Sequence, residues 1–138
     1  YRRLGLRDGL TSTTSYNLFP AGGWLREPDL DVVAKSGTRY GFRLVVYYDT
    51  NSGTNAEIRF SASSGTISGF YLEGDDGLPN IFVNNTTISL PASSSLRRRT
   101  FEGTFTINTT TTMECEIRGV SDSFNMETGT EISTWTID

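Results

Sequence analysis

The strongest constraint on the fold is an alternating stretch, SGTRYGFRLVVYYDT, at residues 36–50. Between residues 40 and 48 every second side chain is apolar or aromatic, which is the period of a β-strand with one buried face. The opposite face, with Gly41, Arg43, Val45 and Tyr47, is half apolar. A small domain has difficulty covering both faces of such a strand. We therefore expect a second sheet, a ligand or another copy of the chain against the second face.

Shorter strand patterns fill much of the remaining sequence. We predict strands at residues 13–19, 31–34, 39–49, 56–62, 66–72, 80–83, 100–108, 113–118 and 131–137. Asn-, Asp- and Gly-rich segments that suit tight turns separate several of these runs. Helical periodicity is nearly absent. Short strands without helices predict an all-β, antiparallel β-sandwich or a barrel, and 138 residues suit a single domain.

Charge and composition exclude several classes of function. With 12 Lys and Arg against 16 Asp and Glu, the formal net charge is −4, which argues against nonspecific binding to nucleic acid or anionic membranes. The basic run at residues 97–99 is interpreted as part of a solvated, Ser-rich turn. No apolar run approaches the roughly 18 residues of a membrane span. Because the chain starts at Tyr1 rather than Met, we interpret that end as a boundary within a longer protein.

The residues available for catalysis point to a protein that is not an enzyme. The chain has no histidine, which excludes catalysis by Ser-His-Asp and Cys-His groups. Cys115 is the only cysteine, so no intrachain disulfide forms, and its strand pattern predicts a core position. Glu114 and Glu116 lie about 7 Å apart on one strand face, but any solvated strand face produces such a pair, and Arg118 offers a charge partner. We predict no catalytic residue, no metal site and no cofactor.

Aromatic residues are the remaining functional signal. Tyr47–Tyr48 and Phe70–Tyr71 are adjacent pairs, and neighbours in a strand point to opposite faces. Some rings therefore leave the simple core. Surplus rings of this kind serve as a carbohydrate platform or a subunit interface, and large rings at a patch centre are typical of protein interfaces.

Four segments carry a resemblance to a known family: RYGFRLVVYYDT, AEIRFSASS, RRRTFEGTFTI and GTEISTWTID. The pattern resembles the trimeric jelly-roll modules of tailed-phage virion proteins, which are similar to the heads of tumour necrosis factor and C1q. The resemblance implies a jelly-roll knob at residues 21–138, the end of a stalk at residues 1–20, and a homotrimer with the aromatic strand and the last strand near its axis. The interface residues that we predict from it are Tyr40, Phe42, Tyr47, Trp135 and Ile137.

The function implied by this resemblance is that of a virion structural protein. We expect the distal knob of a tail needle or tail fibre, which contacts the host cell surface during attachment or genome delivery. Its expected partners are two sister chains, an upstream stalk or tail or capsid proteins, and a host glycan or protein. The polar loop residues that could face a receptor are Asn51, Asn55, Asp75 and Asp76.

Two alternatives remain open. A capsid decoration or head-fibre protein would have the same fold but a shell as its partner. A carbohydrate-binding module would act as a monomer and would display exposed, coplanar aromatic rings.

Overall fold

The computed structural model describes residues 2–6, 15–16, 24–27, 30–50, 55–74, 77–120, 124–126 and 130–137. Strands dominate these ranges. They are β1 (Arg2–Leu6), β2 (Ser15–Tyr16), β3 (Leu25–Arg26), β4 (Val32–Ala34), β5 (Arg39–Thr50), β6 (Ala56–Ala62), β7 (Ile67–Glu73), β8 (Asn80–Val83), β9 (Thr87–Leu90), β10 (Arg97–Ile107), β11 (Thr111–Gly119), β12 (Phe124–Met126) and β13 (Glu131–Ile137).

The strands form two antiparallel sheets. The large sheet has the order β1-β13-β5-β10-β7-β8, with β12 pairing with β5 and β2. The small sheet has the order β3-β11-β6-β9, and β4 pairs with β11. The two sheets enclose one apolar core, so the predicted all-β sandwich with antiparallel sheets is confirmed.

The long strand β5 lies in the middle of the large sheet, between β13 and β10. Its alternating face is buried as the sequence predicts: the side chains at positions 40, 42, 44, 46 and 48 are at most 2 % exposed. Its three inward rings, Tyr40, Phe42 and Tyr48, belong to the core cluster, and Tyr40 stacks on Phe105 with ring centroids 5.1 Å apart. Val45, on the opposite face, is also buried.

Phe82 is the centre of an aromatic cluster that joins the two sheets. Its ring centroid lies 5.3 Å from that of Phe42, 6.1 Å from Phe105 and 6.3 Å from Tyr71, all in the large sheet. It also lies 6.2 Å from Phe60 of the small sheet, with the rings edge to face. Tilted and edge-to-face pairs at these distances add to the gain from burying the rings. A single residue of the short strand β8 thus contacts rings of both layers.

Two sequence interpretations need correction. Residues 97–99 are the start of β10 rather than a solvated turn, because Arg97 pairs with Tyr48 of β5 and Arg99 forms an ion pair with Glu73. The N-terminal segment, predicted as a stalk end, contributes β1 and β2 to the large sheet. The boundary at residue 20 therefore does not separate these strands from the sandwich.

Truncating the central ring tests the role of this cluster. We expect Phe82→Ala to lower the free energy of unfolding by about 3–5 kcal/mol, because it removes a buried ring and leaves a cavity between the sheets. Phe82→Leu should lower it less. The measurement is equilibrium unfolding in urea, with Val33→Ala as the control, because Val33 is 68 % exposed and should change stability by no more than about 0.5 kcal/mol. Equal losses for the Phe82 and Val33 variants would contradict the assignment.

Candidate interaction surface

The outer face of the large sheet carries a cluster of exposed apolar side chains at the β7–β8 end. These residues, which we call the β7–β8 patch, are Phe70, Leu72, Ile81 and Val83 of the two strands, with exposed fractions of 57 %, 36 %, 66 % and 40 %, and Leu78 of the segment between the strands, with 85 %. Single exposed apolar residues are ordinary, but a contiguous group of large ones on a soluble chain usually marks an interaction site.

Strand alternation explains why these side chains point outward. In β8 the ring of Phe82 is buried, so its neighbours Ile81 and Val83 must face the opposite side. In β7 the same rule places Tyr71 inward and Phe70 outward. The register pairs Phe70 directly with Ile81. The outward ring expected from the Phe70–Tyr71 pair is therefore confirmed, and it lies at the centre of the patch.

A shallow depression of about 400 Å³ lies beside Phe70. Phe70, Leu72 and Pro79 form its apolar side, and Glu102 and Thr104 of β10 border it. A second depression of about 240 Å³ continues along the face, with Arg98 and Thr100 in its wall. Glu102 borders both depressions and forms an ion pair of 3.2 Å with Arg43. The surface thus changes from apolar at β7–β8 to charged near the middle of the sheet.

Two of the predicted interface residues belong to the interior of this chain. Tyr40 is 1 % exposed and Phe42 is 2 % exposed. The Tyr40 hydroxyl accepts a hydrogen bond of 2.8 Å from the backbone N–H of Lys35, and Phe42 packs against Phe82. These two rings are therefore core residues rather than interface residues, because they have almost no surface left to offer a sister chain.

The other three candidates lie on the outer face, but not together. Trp135 pairs in register with Gly41, and Ile137 pairs with Arg39, so these two half-buried residues lie side by side. We call them the β13 pair; β1 lies beyond them in the sheet, with Arg3 paired to Trp135. The half-buried Tyr47 lies six residues along β5 from Gly41, the partner of Trp135, which corresponds to about 20 Å by the strand rise. Trp135 covers Gly41 so closely that a Cβ atom at position 41 would clash with the indole ring.

The predicted receptor-facing loop residues are only partly described. Asn51, Asp75 and Asp76 lie outside the described residues, so their role stays a prediction. Asn55 is exposed, but its side-chain oxygen accepts a hydrogen bond of 3.1 Å from the backbone N–H of Ala92. This contact connects the loop before β6 to the segment after β9.

The outer face of the small sheet carries charges that are paired within the chain, besides the exposed Leu25 and Val33. Arg59 forms an ion pair of 2.9 Å with Glu116, and Arg118 forms one of 2.6 Å with Glu57. Both guanidinium groups lie over the ring of Trp24, at 4.0 and 4.4 Å from its centroid, within the range of cation–π attraction. The partner of Arg118 is therefore on the neighbouring strand rather than on its own.

The two glutamates that resemble an acid pair have separate ion-pair partners. Glu116 contacts Arg59, and Glu114 lies 3.5 Å from Arg26. Arg26 also binds Asp31 at 2.5 Å, and this hydrogen bond and charge raise the pKa of its guanidinium. The described part of the chain holds no group of three or more His, Cys, Asp or Glu side chains arranged for a metal ion.

Cys115 is buried between the sheets, as its strand pattern predicts. Burial raises the pKa of its thiol well above the ordinary value, and the nearby carboxylates of Glu27 and Asp31 add to the effect. The thiol is thus kept protonated, which is the opposite of what a reactive cysteine requires.

Comparison with known proteins adds no family to this picture. No family profile matches the sequence, and no curated protein is significantly similar to it. Within the described ranges, no helix is long and apolar enough to cross a membrane.

The contact between Trp135 and Gly41 can be tested by a double-mutant cycle. We expect Gly41→Ala to lower the free energy of unfolding by about 1–3 kcal/mol, because the indole ring must move to admit the methyl group. In a Trp135→Ala background the same substitution should cost much less, since the clash is gone. Urea unfolding of the four proteins measures the coupling. An equal cost in both backgrounds would contradict the predicted contact.

The buried thiol makes stability depend on pH. The pKa of Cys115 is raised in the folded state, so its contribution is fully present below the unfolded thiol's pKa of about 8.5 and is lost as the pH rises above it. We expect the native protein to lose up to about 1.4 kcal/mol per pH unit relative to Cys115→Ala above that pH.

Urea unfolding under reducing conditions at a series of pH values measures this difference. Burial also raises the pKa of Tyr48 and Tyr71, but these groups are present in both proteins, so their effects cancel. Parallel pH profiles for the native protein and the Cys115→Ala variant would contradict the prediction.

Proposed function

We propose that this chain is the homotrimeric, jelly-roll knob of a tailed-phage virion protein, located at the tip of a tail needle or fibre. Its work is structural: three chains assemble into a stable, blunt tip that contacts the host cell surface. Presenting each loop three times strengthens weak contacts when the geometry allows simultaneous binding. The placement in a virion rests on the resemblance of the four strand segments.

The strand order favours the jelly-roll part of the proposal. If the β7–β8 hairpin and the short strands β2 and β12 are set aside, and β3 with β4 counts as one position, eight positions remain. In chain order, the first of these eight strands pairs with the eighth, the second with the seventh, the third with the sixth and the fourth with the fifth. The four pairs are β1 with β13, β3 with β11, β5 with β10 and β6 with β9. One long antiparallel ribbon wrapped around a sandwich produces this pairing, which is the arrangement of a jelly roll.

The observation that carries the assembly is the contrast between the two outer faces. The small sheet presents paired charges with the separate apolar residues Leu25 and Val33, whereas the large sheet presents the β7–β8 patch beside the Arg43–Glu102 ion pair. Groups of large apolar side chains exposed together often mark interaction sites. This contrast favours an assembly in which the outer face of the large sheet lies against sister chains and the small sheet faces water.

The exposed side chains favour this reading over a monomeric carbohydrate-binding module. Such a module would display a row of coplanar rings, but Phe70 is the one aromatic residue among the exposed large hydrophobic residues of the described chain. Its neighbours in the patch are aliphatic, and these side chains suit the core of a protein interface.

Sedimentation equilibrium of the chain at micromolar concentration tests the proposal. We expect a mass three times that of the 15.2 kDa chain. Adsorption of the labelled trimer to a panel of bacterial cells, followed by a glycan array, then tests surface recognition. A chain that remains monomeric at every soluble concentration would overturn the trimeric knob, and a trimer that binds no cell surface would overturn the attachment role.

A further inference from the structure

We propose that the polar depression on the outer face of the large sheet binds one acidic sugar unit, a uronic acid, through the guanidinium group of Arg98. The depression has a volume of about 240 Å³ and is lined by Arg43, Gly74, Arg98, Thr100 and Glu102. The inference rests on the proposed role in attachment to a cell surface, and it names the class of ligand and the residues that bind it.

The depression exists because small residues lie between long ones. Since Phe101 is buried, strand alternation turns Thr100 and Glu102 of β10 to the outer face, and Arg98 has the same orientation. The backbone N–H of Gly74 donates a hydrogen bond of 3.0 Å to the carbonyl oxygen of Thr100, so this glycine lies beside the strand. Beyond its chain neighbours, no described atom lies within 4 Å of a Cβ atom placed at Gly74. The space between Arg98 and Glu102 is therefore open.

Arg98 supplies an unpaired positive charge at one end of the depression. Its side chain is exposed, and within the described residues it forms no ion pair. Its neighbour Arg99, by contrast, is paired with Glu73. A guanidinium group presents its N–H donors in a planar fork that matches the two oxygens of a carboxylate. The group that complements this end of the depression is therefore a carboxylate.

Glu102 supplies hydrogen-bond acceptors at the other end. Its side chain is 60 % exposed and contacts Nε of Arg43 at 3.2 Å. An ion pair this exposed contributes little to stability, so the carboxylate of Glu102 remains able to accept hydrogen bonds from hydroxyl groups of a ligand. The same carboxylate repels a phosphate or sulfate dianion. A ligand with one negative charge and several hydroxyl groups fits both ends, and a uronic acid has this composition.

The depression stays accessible when the apolar patch beside it is covered. Charged side chains are depleted at the centres of protein interfaces and are common at their rims. If a sister chain covers the β7–β8 patch, Arg98 and Glu102 therefore lie at the rim of that contact. A shallow site for one sugar unit binds weakly, with a dissociation constant on the order of 1 mM. Three copies in a trimer strengthen the attachment when they reach one polysaccharide.

A titration of the isotopically labelled chain, followed by NMR at constant ionic strength and neutral pH, tests the ligand class. We expect methyl glucuronide to shift the backbone amide signals of residues 98–102 in a saturable manner. Methyl glucoside lacks the carboxylate and should bind about tenfold more weakly or less, because a hydrogen bond to a charged group is lost. Inorganic phosphate should also bind more weakly than the glucuronide. Equal binding of the neutral sugar or of phosphate would overturn the assignment.

A pair of arginine variants tests the residue. We expect Arg98→Gln to weaken the binding of methyl glucuronide by about tenfold or more. Arg39→Gln is the matched control, because Arg39 is also exposed and forms no ion pair within the described residues. Along β5 it lies eight residues from Tyr47, the partner of Arg98, which is about 26 Å. The control should bind like the native chain. Equal weakening in both variants, or none in Arg98→Gln, would overturn the proposal.

A third variant fills the depression without changing any charge. Gly74 has a φ of 61°, a conformation that asparagine adopts more readily than most residues with a side chain. We expect Gly74→Asn to weaken the binding of methyl glucuronide several-fold, because its amide group occupies the space of the sugar. Circular dichroism should show the same β-structure for all three variants. An unchanged affinity of Gly74→Asn would overturn the placement of the ligand in this depression.

The remaining outcomes separate this inference from the proposed function. Asp75 and Asp76 directly follow Gly74 in the sequence. If the native chain bound no glucuronide but the double variant Asp75→Asn, Asp76→Asn did, the chain's own carboxylates would occupy Arg98, and the ligand role would be overturned. A monomeric chain that binds glucuronide refutes the trimeric knob and keeps the site. A trimer that adsorbs to cells but binds no glucuronide keeps the knob and refutes the site.

Discussion

The sandwich depends on the packing of rings around Phe82. Its contacts with Phe60 on one side and Phe42, Phe105 and Tyr71 on the other connect the small sheet to the large one. The chain has one buried cysteine and no second one to pair with it, so packing must hold the layers together. Since Phe82 is the one buried residue of the four-residue strand β8, this strand is fixed to the core through one ring.

That anchoring also determines which surface is available for assembly. Because strand side chains alternate, burying Phe82 obliges Ile81 and Val83 to face outward, next to Phe70. The same residue thus stabilises the core and orients the patch. On the opposite layer, ion pairs such as Arg59–Glu116 satisfy the charges of the small sheet within the chain. The two layers therefore differ at their outer faces: the small sheet pairs its charges within the chain, whereas the large sheet exposes the β7–β8 patch.

The alternation of apolar and polar side chains predicts many of the strands. The arrangement of the exposed apolar residues depends instead on which strands pair and in which register. Residues 56–62, 80–83 and 131–137 are strands with the predicted bounds, since their alternation is clean. The short β9 was missed although Ile88 and Leu90 alternate with polar residues, because four residues give little signal, and the start of β10 was missed because it has no apolar period. Trp135 and Phe70 lie in one row through pairings that span distant parts of the sequence. Alternation indicated that rings leave the core, but it did not indicate which ones, so Tyr40 and Phe42 were misassigned to an interface.

The position of the patch at the rim of a sheet affects how the protein must be made. An apolar strand with an open edge is a template for unwanted association, and natural proteins usually protect such edges with charges or prolines. A single folded chain carries this surface unprotected, as the exposed Phe70, Ile81 and Val83 show. If the proposed trimer forms, the local concentration of chains during synthesis would decide whether this surface meets a sister chain or aggregates.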